Sequence, residues 1–205
     1  MARTYPRSVP IEIRAASAAD EPAVTQIRQE TWLTAYAQII DPVIIERVTA
    51  PRGRASAAPR SDRASLVAEA PQAAAIADAR VIVGYASYGP ERIVASAASV
   101  GSGGSGGAGA TPGALTPAGL AGETGELYTL YVAPAHRSTG AGRALTDAAL
   151  DGLRAAGYRR VVLWTLIENA RARRFYDKAG FAPDGATNTL AGLGNVEELR
   201  YARDL

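Results

Sequence analysis

Cysteine is absent from this 205-residue chain, and histidine and lysine occur once each, as His136 and Lys178. Without thiols there is no disulfide framework and no thiolate chemistry. A single histidine rules out a histidine-rich metal site, and the carboxylates form no clustered ligand motif, so no metal is expected. No run reaches the roughly 18–20 apolar residues of a membrane span, and residues 1–7 lack the apolar stretch of a secretory signal. The expectation is a soluble, cytoplasmic protein. Charge of one sign is also missing: the formal net charge is only +2, and the basic residues are nearly all arginine. That balance does not by itself imply nucleic acid.

What the chain does contain is organised around residues 126–142. Residues 127–132 (Leu-Tyr-Thr-Leu-Tyr-Val) are of the types that suit a pleated, buried surface. Pro134 closes the run, since proline cannot donate to a ladder. From Gly140 the period changes. Leu145, Ala148, Ala149 and Leu153 recur at helical spacing up to Gly157, a good C-terminal cap. The order is strand, short polar loop, helix, with Gly140 and Gly142 where the helix begins. Backbone N–H groups there lack intrahelical partners, the helix dipole is positive, and glycine lets an anion approach the backbone. A glycine pair alone fits a tight turn as well as a phosphate cradle. Arg137, three residues before Gly140, completes Arg-x-x-Gly-x-Gly. The stretch lacks both the Gly-Lys-Ser/Thr of a P-loop and the third glycine of a Rossmann fingerprint.

The length fits one domain with a sizeable core. Residues 11–14 alternate as a short strand. Ser17 or Asp20 can cap a helix with Pro22 in its first turn. Val24, Ile27, Thr31 and Ala35 lie along one face of it, and Trp32 and Tyr36 share another. Asp41-Pro42 starts a second helix. Residues 50–63 read as an exposed loop with four arginines. Residues 65–69 and 81–88 read as a hairpin, with a helical turn possible in between. Residues 95–122 are a low-complexity Gly/Ala/Ser/Thr/Pro insertion, expected to be flexible because it cannot bury enough apolar surface to order itself. A lid over a binding site is the alternative for it. Residues 160–166 fit a buried strand, 170–179 a helix capped by Gly180, and 181 onward and 196–202 two last strands. A helix between the strands at 127 and 160 lets them lie parallel. The expectation is one α/β domain over 1–205, with a mixed, mostly antiparallel sheet of about seven strands and roughly four helices.

Strand, proline, Arg-x-x-Gly-x-Gly and helix together resemble the pyrophosphate-binding segment of the GCN5-related N-acetyltransferase (GNAT) superfamily, whose pattern is Gln/Arg-x-x-Gly-x-Gly/Ala. A second motif follows in the right order. Residues 169–181, Asn-Ala-Arg-Ala-Arg-Arg-Phe-Tyr-Asp-Lys-Ala-Gly-Phe, resemble the family's Asn-x-x-Ala-x-x-Phe/Leu-Tyr-x-x-x-Gly-Phe. Residues 30–36, Glu-Thr-Trp-Leu-Thr-Ala-Tyr, are similar to a stretch in uncharacterised bacterial members. The resemblance covers nearly the whole chain outside 95–122.

This resemblance implies direct transfer of an acetyl group from acetyl-coenzyme A to a primary amine of a small molecule or peptide. For coenzyme binding it implies Leu130, Tyr131, Val132, Arg137, Ser138, Thr139, Gly140, Ala141, Gly142, Arg143, Asn169 and Tyr176. Backbone N–H groups near Leu130 and Val132 would meet the pantetheine and the oxyanion, given a bulge that splays the strand. Tyr176 would hydrogen-bond the leaving sulfur; a core tyrosine is the plainer reading. Asn169 would bond the pantetheine arm or simply cap its helix. Glu126, eleven residues before Arg137, stands where one branch of the family has its base; an ordinary strand-start glutamate is the alternative. Glu168 is the reserve base, and His136 lies too near the phosphates for that role. Trp32, Tyr36, Tyr128 and Glu168 would bind the acceptor, although core packing explains Trp32 and Tyr36 as well. A homodimer is compatible with the family, and no membrane partner is expected. Two other functions stay open: a coenzyme-binding sensor without turnover, and an acetyltransferase for an RNA-linked amine that uses the arginines of 47–63 and 171–174.

Overall fold

The computed structural model describes residues 10–50, 63–72, 79–92 and 124–205. The arginine loop at 51–62, the connection at 73–78 and the insertion expected at 95–122 lie outside the described residues. The described elements are β1 (Glu12–Ala15), α1 (Glu21–Ala35), α2 (Pro42–Thr49), β2 (Ala64–Pro71), β3 (Arg80–Pro90) and β4 (Thr124–Val132). After them come α3 (Ala141–Ala155), β5 (Arg160–Leu166), α4 (Ala170–Lys178), β6 (Ala182–Leu190) and β7 (Val196–Asp204). The strands form one sheet in the order β1-β2-β3-β4-β5-β7-β6. Every neighbouring pair is antiparallel except β4 and β5, the pair that α3 connects.

Local chemistry sets the helix ends. Asp41 caps α2 by accepting from the Val43 N–H at 2.8 Å, and Asn169 caps α4 by accepting from the Ala172 N–H at 3.1 Å. Gly157 and Gly180 take positive φ just past α3 and α4, where the Tyr158 N–H returns to Leu153 O and the Phe181 N–H to Tyr176 O. These are the 6→1 bonds that close a helix through a left-handed residue.

Strand alternation sends side chains to two apolar clusters. Val161, Leu163 and Tyr201 join Leu145, Ala149 and Leu153 of α3 and Ala179 and Phe181 beside α4. Leu166, of the opposite parity to 161 and 163, joins Ile40, Ile45, Trp32 and Tyr36. So α3 and α4 cover one face of the sheet, and α1 and α2 cover part of the other. Thr146 and Leu150, which the four-residue apolar pattern passed over, are buried on α3 as fully as Leu145. Thr146 is satisfied by donating to Gly142 O at 2.8 Å.

At the start of α1, Arg14 grips Asp20 with two parallel hydrogen bonds, Nη1 to Oδ2 at 2.7 Å and Nη2 to Oδ1 at 2.8 Å. The Ser17 N–H also donates to Asp20 Oδ2, at 2.7 Å. The Arg14 guanidinium therefore holds the Asp20 carboxyl well below the usual carboxylate range, against the opposing effect of burial. A carboxylate whose pKa is lower folded than unfolded stabilises the fold above its unfolded pKa, near 3.9, and that contribution disappears as pH falls. Asp20→Asn is expected to lower stability at neutral pH by about 2 kcal/mol. It should also flatten the acid side of the melting-temperature profile. Thermal melts from pH 7 down to pH 2 check both; parallel wild-type and variant profiles would show that the pair contributes nothing.

Candidate active site

β4 carries the centre of the site. Opposite β3, Ser87 pairs with Thr129 and Tyr88 with Leu127, so Tyr128 is an extra, bulged residue. Opposite β5, pairing runs only from Thr124↔Arg160 to Glu126↔Val162, although β4 continues to Val132 and β5 to Leu166. The two strands part beyond Glu126. The Ala133 N–H bonds Val83 O at 2.8 Å. Bonded pairs alternate along an antiparallel ladder, so residues 131 and 129 bond β3, whereas the Leu130 and Val132 N–H groups point away from it. They face the side from which β5 has withdrawn. This is the bulge and splay that the sequence reading required for those two amides.

The loop after β4 ends in the uncapped start of α3. Gly140, the N-cap residue, has φ +99°, and no side chain caps the helix, in contrast to α2 and α4. Ser138 also takes positive φ, at 65°. Alternating left-handed residues before a bare helix terminus turn successive N–H groups into one concavity that suits an anion. A Cβ on Gly140 would meet nothing within 4 Å, and one on Gly142 would sit 3.5 Å from Phe175 and Val132. Arg137 lies beside the cradle, donating from Nη2 to Thr34 Oγ1 at 2.6 Å. Burial lowers its pKa and neighbouring Arg171 lowers it further. Two guanidiniums near each other and near a bare helix start make a strongly positive pocket, the fit expected for a pyrophosphate. The sequence reading did not single out Arg171 beside Arg137, although it stands two residues after Asn169 in the second motif. Thr139 donates to His136 O at 2.7 Å and shapes the loop. Arg143 pairs with Asp147 across one helical turn, so its side chain is turned to the surface.

Tyr176 comes from α4, on the face opposite α1, with ring centroids 5.4 Å from Phe175, 5.9 Å from Phe181 and 6.2 Å from Tyr201. Burial raises its pKa, and Tyr36 and Tyr131 from the other face add to the shift. Tyrosines from both faces sense one another through the opening between β4 and β5. Trp32 Nε1 donates to the Tyr131 hydroxyl at 3.2 Å, and the Trp32 and Tyr36 rings meet edge-on at 5.0 Å. Trp32 and Tyr36 therefore pack with the second apolar cluster, beside the opening. Asn169 caps α4 with Oδ1, and its side chain lies beside Tyr36, whose pKa it lowers against the effect of burial. Glu168 is exposed on the turn after β5 and stands outside this group.

Glu126 is placed differently from the expectation. It is 0% exposed. Arg92 Nε lies 3.0 and 3.1 Å from its two oxygens, the Arg92 N–H is 2.8 Å from Oε2, and Arg92 Nη2 also donates to Oε1. A carboxylate with both oxygens engaged twice has little capacity left for a substrate proton. The expectation of a base at 126 is revised: Glu126 pins the last paired position before the strands part. Tyr128 donates to Pro90 O, with Arg63 and Arg92 over its ring at 4.3 and 5.0 Å. Glu126→Gln is expected to cost about 1.5–3 kcal/mol, the scale of a charge-assisted hydrogen bond. It should leave the acetyl-transfer rate of folded enzyme nearly unchanged. Urea unfolding and initial rates check this, and a large rate loss at full stability would restore Glu126 as the base.

Known proteins share this fold. A family model described as the acetyltransferase (GNAT) family matches residues 45–181. The chain belongs to the GNAT acetyltransferase family, whose acetyl donor is acetyl-coenzyme A. It is 57% identical over 60 residues to a mycothiol acetyltransferase of Beutenbergia cavernae, covering 29% of this chain and 20% of that protein. It is 46% identical over 72 residues to one from Cellulomonas flavigena, covering 35% and 21%. The chain spans about a fifth of the length of these curated relatives. Among solved structures it is similar to a PaiA N-acetyltransferase of Thermoplasma acidophilum in complex with coenzyme A, with TM-score 0.61, 18% identity, and 96% and 99% of the two chains covered. A GCN5-related N-acetyltransferase of Kribbella flavida gives TM-score 0.61, 22% identity and coverage of 98% and 100%. At these identities the structures show a shared fold. No helix among the described residues is long and apolar enough to cross a membrane.

Proposed function

We propose that this protein transfers the acetyl group of acetyl-coenzyme A directly to a small-molecule amine held on the α1 side of the opening between β4 and β5. One observation carries the reading. The Tyr176 hydroxyl makes no hydrogen bond among the described residues, and it lies where the sheet opens beside the anion cradle. The start of α3, with Arg137 and Arg171, would hold the pyrophosphate. The Leu130 and Val132 N–H groups would hold the pantetheine and the carbonyl oxygen. Holding donor and acceptor in one geometry supplies much of the acceleration, and hydrogen-bond donors fixed beforehand stabilise the charge that develops on oxygen and sulfur.

Of the arginines proposed for the RNA-directed alternative, Arg52, Arg54 and Arg60 lie outside the described residues, Arg171 and Arg174 are exposed, and two are engaged within the fold. Arg173 bonds Ile167 O at 3.1 Å and Arg47 bonds Gly192 O at 3.1 Å, so both serve the fold. The names of the curated relatives make a mycothiol-type amine the first acceptor to try. The test is an acetyl-coenzyme A turnover screen against amino sugars, polyamines, aminoglycosides, amino acids and peptide N-termini. Saturable transfer to at least one amine is expected. Tight coenzyme binding with no transfer to any of them would favour the sensor instead.

A further inference from the structure

With Glu126 held by Arg92, the site as described has no group to take the acceptor's proton. We propose that Glu198, on β7, takes it. The proposal rests on the acetyltransferase reading above and adds a residue that no motif marks.

The placement is geometric. Glu198 pairs with Leu166, the last residue of β5, at the mouth of the opening. It belongs to the α1 side, where it interacts with Tyr36, and Tyr36 in turn interacts with Tyr176. Asn188 on β6 donates from Nδ2 to Glu198 Oε1 at 2.9 Å and fixes the carboxylate. Oε2 has no hydrogen bond among the described residues. The groups facing Glu198 are Asn188, Tyr36, Arg92 at the end of β3, and Glu126 on β4. Arg92 already holds Glu126 with both Nε and Nη2. Arg200, two residues along β7, is bound to Glu91 and Asp184, each at 2.8 Å. No arginine is therefore closed onto Glu198. Burial raises its pKa, only partly offset by Asn188 and Arg92, while Glu126 raises it further. A carboxyl shifted upward is a stronger base.

In the reaction, the acceptor's ammonium gives one proton to Glu198 Oε2. The freed nitrogen lone pair forms the C–N bond to the thioester carbonyl carbon as the C–S bond breaks. The sulfur leaves with the bonding pair, stabilised by the Tyr176 O–H. The nitrogen's second proton passes through solvent to the thiolate, and Glu198 returns its own proton to water. The net products are amide, free thiol and one proton.

The test is the pH profile of kcat/KM for wild type, Glu198→Gln and Glu198→Asp, on the fastest acceptor of the screen. The isosteric glutamine can still accept from Asn188. Wild type should show an acid limb above the ordinary carboxylate range. Glu198→Gln should lose about 10²-fold at pH 7, with the loss shrinking toward the amine's own pKa and acetyl-coenzyme A affinity unchanged. Glu198→Asp should recover part of the rate together with the acid limb. Glu197→Gln, an exposed neighbour, should match wild type. Wild-type rates from Glu198→Gln, or the same loss at every pH, overturn the proposal and leave the acetyltransferase reading standing. A wild type that transfers to no amine overturns both.

Discussion

Gly140→Asp should weaken acetyl-coenzyme A binding about 10²-fold while leaving the protein folded. The reason lies in what α3 lacks. Its N-terminus has no side-chain cap, and Gly140 occupies the N-cap position. Aspartate is among the preferred residues there because its carboxylate accepts from the free N–H groups. Placed at 140 it would satisfy the helix from within and occupy the cradle with a negative charge. Two unit charges about 5 Å apart at an effective dielectric near 20 repel by about 3 kcal/mol, or roughly 10² in affinity. The φ of +99° imposes strain of about 1–2 kcal/mol on any L-residue, which the new cap partly offsets. Gly140→Ala separates the two effects, carrying the strain without the charge. It should lose stability and bind coenzyme nearly as well as wild type. Calorimetric titration and thermal melts of both variants decide. Unchanged affinity in a folded Gly140→Asp protein would remove the cradle from the site.

Tyr176→Phe should lower kcat by about 10–10²-fold with coenzyme affinity and melting temperature little changed. Phenylalanine keeps the ring contacts with Phe175, Phe181 and Tyr201 and removes only the hydroxyl. Burial holds the Tyr176 phenol above its ordinary value, whereas a thiol ionises near 8.5. Full proton transfer from that phenol to the departing thiolate is uphill, so Tyr176 acts by donating a hydrogen bond. A hydrogen bond to a charged partner contributes about 1.5–3 kcal/mol, which sets the size of the effect. The phenol stays neutral between pH 6 and about 10, so the loss should be one constant factor across that range. Wild-type rates in the variant would refute the role. An alkaline limb in wild type that disappears in the variant would show that Tyr176 gives up its proton after all.

The elements were legible in the sequence because each carries its own punctuation. Asp41-Pro42, Asn169, Gly157 and Gly180 mark helix ends by local chemistry, and 160–166 reads as a buried strand because it is apolar throughout. The bare helix start at 138–142 was legible for the same reason: a loop and a helix start are contiguous in the chain. The acceptor side was not. Glu198 and Asn188 meet across the β6–β7 pair, and Arg92 reaches Glu126 from the far end of β3. Nothing within either strand distinguishes Glu198 from its exposed neighbour Glu197. Spacing places Glu126 along the strand but does not disclose what fills its carboxylate. Only sheet order brings such residues together.

The short β4–β5 junction has a mechanical consequence. The block β1-β2-β3-β4 and the block β5-β7-β6 are each sewn by longer antiparallel ladders, and between them run only the three registers at 124–126. The weakest seam of the sheet is thus the opening proposed above as the site. A ligand that bonds the Leu130 and Val132 amides on one lip and Asn169 on the other becomes the missing stitches. Any molecule that binds the native fold alone raises its stability by RT ln(1 + [L]/Kd), and here that gain is concentrated at the seam. The apo protein is then the looser of its two states, with its slack gathered where chemistry will occur. Bound there, acetyl-coenzyme A would serve as mortar before it serves as reagent.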